Sequence, residues 1–127
     1  MLYKNILMID DDADDIYIFT EALKAINKDI VFRSYLNPKQ ALEVLRSSGY
    51  VPDLIFLDYN MPSINGLEVL EQLKDEKHLR NTLVILISSP DEQIMKKQLL
   101  HYTMVKYISK PSGYNELVGA LREILES

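Results

Sequence analysis

Four short apolar stretches in this chain each end in residues able to do chemistry. Asp10, Asp11 and Asp12 follow residues 6–9; Asp58, then Asn60, follow residues 54–57; Ser88 and Ser89 follow residues 83–87; Lys110 and Pro111 follow residues 105–108. Brought together, these would place three or four carboxylates beside a pair of hydroxyls and one ammonium. Crowded carboxylates repel, and the simplest relief is a divalent cation with oxygen ligands and retained waters, which describes Mg²⁺, with Mn²⁺ as a substitute. One remaining carboxylate could then accept a phosphoryl group in line. An ammonium would spread the charge on its oxygens, and a hydroxyl would donate a hydrogen bond to one of them.

What could bring them together is the pattern of the elements. Apolar runs of strand length recur at residues 6–9, 30–36, 54–57, 83–87 and 105–108, separated by segments with helical spacing. Ile16, Phe19, Leu23 and Ile26 share one helix face, and so do Leu117, Leu121, Ile124 and Leu125 in a last helix that begins near Tyr114. Helix starts are written at Asp12 ahead of Ala13, at Asn37 before Pro38, and at Ser89-Pro90-Asp91-Glu92 as a capping box with Pro at its first position. Asn65-Gly66 supplies a turn and a further helix start. Strand and helix alternating in this way predict a parallel sheet covered on both faces by right-handed crossovers. In such a sheet every strand ends on the same edge, so the four chemical clusters converge there.

Composition limits the alternatives. The chain has 127 residues, 14 Lys plus Arg against 19 Asp plus Glu, and a net charge of −5; it is 47% hydrophobic and 26% charged, which predicts one globular domain over 1–127. An acidic chain without a basic run is a poor direct partner for DNA or RNA. The absence of cysteine excludes disulfides, Cys-ligated zinc, iron–sulfur clusters and a thiol nucleophile. His78 and His101 have no partner at ligand spacing and read as surface or packing residues. The amino terminus lacks the long apolar stretch of a signal peptide, and no run is long enough to span a membrane, so a cytoplasmic chain is expected.

Taken in order, Ile9-Asp10-Asp11, Leu57-Asp58-Tyr59-Asn60-Met61-Pro62, Asn65-Gly66, Ile87-Ser88-Ser89 and Tyr107-Ile108-Ser109-Lys110-Pro111 closely resemble the receiver domain of bacterial two-component response regulators. The resemblance spans nearly the whole chain. It implies an α/β, flavodoxin-like (βα)5 three-layer sandwich with a five-stranded parallel sheet in the order 2-1-3-4-5. It also implies that Asp58 is the phosphoacceptor and that Asp11, Asp58 and the backbone carbonyl of Asn60 ligate Mg²⁺, with Asp10 acting through metal-bound water. Ser88 and Lys110 would hold the phosphoryl oxygens, and Tyr107 would turn inward when Ser88 is drawn to them. On residue chemistry alone, Tyr107 reads equally as half-buried packing on a strand.

The function so implied is that of a single-domain response regulator in a phosphorelay. It would take its phosphoryl group from a sensor histidine kinase or a histidine phosphotransfer protein, assist its own phosphorylation and dephosphorylation, and change its affinity for an output protein. That output, or a phosphorylation-dependent homodimer, would use the face of the fourth helix, fifth strand and fifth helix, residues 90–100, 105–109 and 114–126. Some positions depart from the family pattern. Thr103 and Met104 replace a small pair ahead of the fifth strand, Thr82 and Leu83 stand where proline usually precedes the fourth, Ser112 replaces an aromatic, and Ser88 replaces threonine but keeps the hydroxyl.

Other readings compete. Asp12, Asp14 and Asp15 read as helix N-capping acids rather than site residues. Asp10, Asp12, Asp14 and Glu21 fit four positions of a calcium loop, but Asp15 stands where that loop needs glycine. A haloacid dehalogenase-type phosphohydrolase would use Asp10 and Asp12 as its Asp-x-Asp, and a flavodoxin-like cofactor binder would need hydroxyls and glycine, not aspartates, after the first strand.

Overall fold

The computed structural model describes residues 3–47, 49–89 and 97–126. Five strands, β1 (Asn5–Ile9), β2 (Val31–Tyr35), β3 (Leu54–Asp58), β4 (Leu83–Ser88) and β5 (Val105–Ser109), are joined by α1 (Ala13–Ile26), α2 (Pro38–Arg46), α3 (Gly66–Leu73) and a short 3₁₀ turn, Lys77–Leu79; the C-terminal helix is Tyr114–Glu126. Residues 97–99 are also helical. The capping box expected at Ser89-Pro90-Asp91-Glu92, and most of the expected output face at 90–100, lie outside the described residues.

The helix starts follow the sequence. Asp12 accepts the Asp14 N–H at 2.9 Å, and Asn37 accepts the Lys39 N–H at 2.9 Å with Pro38 in the first turn. At α3 the box is reciprocal: Asn65 accepts from the Glu68 N–H at 2.9 Å, and its own N–H donates to the Glu68 carboxylate at 3.2 Å. The second strand is shorter than the apolar run 30–36, because the Ile30 N–H is turned back to the Asn27 carbonyl and Asn37 already caps α2. Leu36 is left exposed between strand and helix.

All strands are parallel, in the order β2-β1-β3-β4-β5, which confirms the expected flavodoxin-like topology. Alternate residues feed two cores. Leu7, Ile9, Ile55, Leu57, Val84 and Leu86 pack with α2 and α3 on one face. Ile6, Met8, Phe56, Ile85 and Ile87 pack with α1 and the C-terminal helix on the other, where Phe19 and Phe56 meet edge to face at 5.3 Å. The predicted helix faces are those that turn inward: Phe19, Leu23, Leu117, Leu121 and Leu125 are buried, with Ile16, Ile26 and Ile124 packed at their margins. Thr82, where the family pattern has proline, is buried and donates its hydroxyl to the Pro52 carbonyl at 2.7 Å, so that departure carries its own tie between β3 and β4.

Candidate functional site

Backbone pairing fixes where the chemical residues stand. β3 is the central strand, and Asp58 pairs with Ile87 at its end, while Ser88 pairs with Ser109 one residue further along β4. The loops that leave the strands are bonded to neighbouring strand ends: Asp10 N–H to the Tyr35 carbonyl at 3.1 Å, Tyr59 N–H to Ile87 at 2.9 Å, and Lys110 N–H to Ser88 at 2.8 Å. Behind Asp58, the Gly66 N–H donates to the Tyr59 carbonyl at 3.0 Å. A side chain at Gly66 would lie 2.6 Å from Leu86 Cδ1 and 3.0 Å from Tyr59 Cα, so α3 can approach the loop after β3 this closely only through glycine.

Carboxylate oxygens of Asp10, Asp11 and Asp58 lie within 4.8 Å of one another. Asp10 and Asp58 are buried, at 4% and 8% exposure, whereas Asp11 faces solvent. Burial, opposed by the Asp12 N–H bonded at 2.9 Å, pushes the Asp10 carboxyl up to about 7. Burial likewise pushes Asp58 up to about 6, against the Asn60 N–H at 3.3 Å. Two carboxylates short of solvent and one open to it, all oxygen donors, fit a hard divalent cation that keeps part of its water shell.

Around this cluster stand the groups expected beside a phosphoryl acceptor. Ser88 is buried and donates its hydroxyl to the Ser89 carbonyl at 3.1 Å; the Tyr107 hydroxyl donates to the same carbonyl at 3.3 Å. Tyr107 also packs against the core on the α3 face, so its packing reading is correct as far as the ring is concerned. The Lys110 ammonium is 2.6 Å from Asp15 Oδ2, and that bond raises its pKa. Asp15 stands in the first turn of α1, as its reading as a helix-start acid expects, and also pairs with a side chain. Asp12 caps α1, but Asp15, one turn beyond Asp11, reaches the lysine. His78 is half-buried, with Nε2 2.7 Å from the Leu45 carbonyl, in keeping with a packing role.

The family model for the response regulator receiver domain matches residues 6–122. The chain belongs to that family. The receiver domain is 30% identical over 125 residues to the phosphate regulon transcriptional regulatory protein PhoB of Pseudomonas aeruginosa, covering 98% of this chain but only 53% of that protein. It is 27% identical over 123 residues to the polar-differentiation response regulator DivK of Brucella ovis, covering 96% of each. Among solved structures, the phosphorylated cyanobacterial phytochrome response regulator RcpA superposes with a TM-score of 0.83 at 26% identity, over 98% of this chain and 92% of the other. Receiver domains are phosphoacceptor signalling switches, and this membership displaces the dehalogenase and flavin readings. The calcium-loop reading also falls, because Asp14 lies in α1 and a strand precedes the cluster. Among the described residues no helix is long and apolar enough to cross a membrane.

Proposed function

We propose that Asp58 of this receiver domain accepts a phosphoryl group from the phosphohistidine of a sensor histidine kinase or histidine phosphotransfer protein. The observation that carries this reading is the convergence of the Asp10, Asp11 and Asp58 carboxylates at the end of the central strand. An Asp58 carboxylate oxygen forms the new P–O bond as the P–N bond breaks. The electron pair stays on the imidazole nitrogen, which takes a proton from solvent. Held by Asp11, Asp58 and the Asn60 carbonyl, with Asp10 behind a bound water, Mg²⁺ or Mn²⁺ would supply neutralising charge for the phosphoryl oxygens. Lys110 and Ser88 bind those oxygens in the same state, and they serve equally when water attacks phosphorus and returns Asp58 to its carboxylate.

Output follows from the shared acceptor. When the Ser88 hydroxyl leaves the Ser89 carbonyl for a phosphoryl oxygen, the Tyr107 hydroxyl loses its companion on that carbonyl, and the ring moves inward against the α3-face core. The surface around β5 and the C-terminal helix, with Leu100, Met104 and Tyr114 exposed, then gains affinity for an output protein or a second copy. The test is incubation with acetyl phosphate and Mg²⁺ followed by intact-mass measurement. One added phosphoryl group is expected in the parent chain, and none in Asp58→Asn or in excess chelator. Equal labelling of Asp58→Asn would overturn the assignment.

A further inference from the structure

Among the described residues, Lys110 makes its salt bridge with Asp15 and not with the central carboxylate it is expected to serve. The partners are unequal. Asp15 is 18% exposed and rises from the first turn of α1, so its carboxylate is a fixed acceptor; Lys110, at 48%, is a flexible stem at the end of β5 with room to swing. Asp15 also acts on the cluster itself, since its charge is felt at both Asp10 and Asp58.

We propose that Asp15 is an internal counterion that holds the Lys110 ammonium in the unphosphorylated chain and competes for it with the phosphoryl group on Asp58. This rests on the reading of Asp58 as phosphoacceptor. An ammonium has three donors, so donor number does not force the choice. Charge and geometry do. A carboxylate at 2.6 Å keeps the cation on the α1 side of the site, and its own negative charge opposes the approach of an anionic phosphoryl donor. Phosphorylation therefore has to draw Lys110 away from Asp15, and the site is slower to load than its residues alone would make it. Asp15 is a positioning residue, acting through Lys110.

The experiment compares the parent chain with Asp15→Asn, Asp14→Asn, Lys110→Ala and the Asp15→Asn/Lys110→Ala double variant, at saturating Mg²⁺ so that metal affinity does not enter. The initial rate of phosphorylation by acetyl phosphate is read by intact mass. Asp15→Asn is expected to be about threefold faster than the parent, the size of a half-exposed ion pair, and to lose most of that gain in the Lys110→Ala background. Asp14→Asn, which removes the same charge from an exposed position of the same helix turn, should leave the rate near that of the parent. A second measurement needs neither metal nor phosphate: acylation of the Lys110 amine by an activated ester in chelator, with the ester's alcohol as leaving group, read by peptide mass, should rise in Asp15→Asn and not in Asp14→Asn. Unchanged or slower loading of Asp15→Asn, an equal gain in Asp14→Asn, or unchanged Lys110 acylation would each overturn the proposal. A parent chain that takes no phosphoryl group would instead remove the Asp58 reading, and the competition with it; loading of the parent with no effect of Asp15→Asn would remove Asp15 alone.

Discussion

Asp10 and Asp58 carry opposite obligations to the fold and to the site. In the unfolded chain each titrates near 3.8, but in the fold burial holds them at about 7 and about 6. Between those limits the folded state binds more protons than the unfolded one. Stability therefore falls as pH rises from about 4 through about 7, and it is greatest for these two groups when both are neutral. In chelator, the melting temperature should drop between about pH 5 and about pH 8, and Mg²⁺ should reverse much of that drop. Asp10→Asn keeps an oxygen for the Asp12 N–H, removes the buried charge, and should stabilise the metal-free chain at about pH 8 by on the order of 2 kcal/mol while flattening the slope. An unaltered slope in that variant, followed by thermal unfolding, would locate the effect elsewhere. The positions of these two acids were legible because each directly follows an apolar run, residues 6–9 and 54–57. The role of Asp15 was not, since an acid in the first turn of a helix has the same appearance whether it faces the macrodipole or a lysine ninety-five residues away.

At the scale of elements, the sequence was most readable where local chemistry decides. Asp12, Asn37 and Asn65 each cap the helix that their types predict, and the boundaries follow. It was least readable where two elements press on one another. Asn65-Gly66 reads as a turn and a helix start, and the helix does start there, yet no glycine among the described residues has a positive φ. Gly66 is needed for space between Leu86 of β4 and the backbone at Tyr59, and neither neighbour is visible from the dipeptide. Gly66→Ala should cost about 2 kcal/mol of stability through overpacking, measured by denaturant unfolding. Because the displaced backbone lies directly after Asp58, the same variant should also slow phosphorylation. Asn65→Ala supplies the contrast, losing about 1 kcal/mol of capping with little effect on loading.

For the whole molecule, the order of the sheet was legible because parallel strands with right-handed crossovers leave few arrangements, and the site followed from that order. The meeting of the Ser88 and Tyr107 hydroxyls, on which the proposed link from site to surface rests, was not, because they meet at the backbone carbonyl of Ser89, which no side-chain pattern announces. Tyr107→Ala should leave phosphorylation of Asp58 intact while reducing the phosphorylation-dependent change in amide exchange over Val105–Ser109 and Tyr114–Glu126; a full response in that variant would place the output elsewhere. The two strands at the margins of the sheet have a consequence of another kind. β2 carries an exposed Arg33 at its centre, stacked 4.1 Å over the Tyr50 ring, and β5 carries an exposed Lys106. The remaining residues of both strands are mostly β-branched or aromatic, types that favour strand pairing, so each cation interrupts a stretch that would otherwise invite it. A positive charge on each margin disfavours edge-to-edge addition of a further strand there.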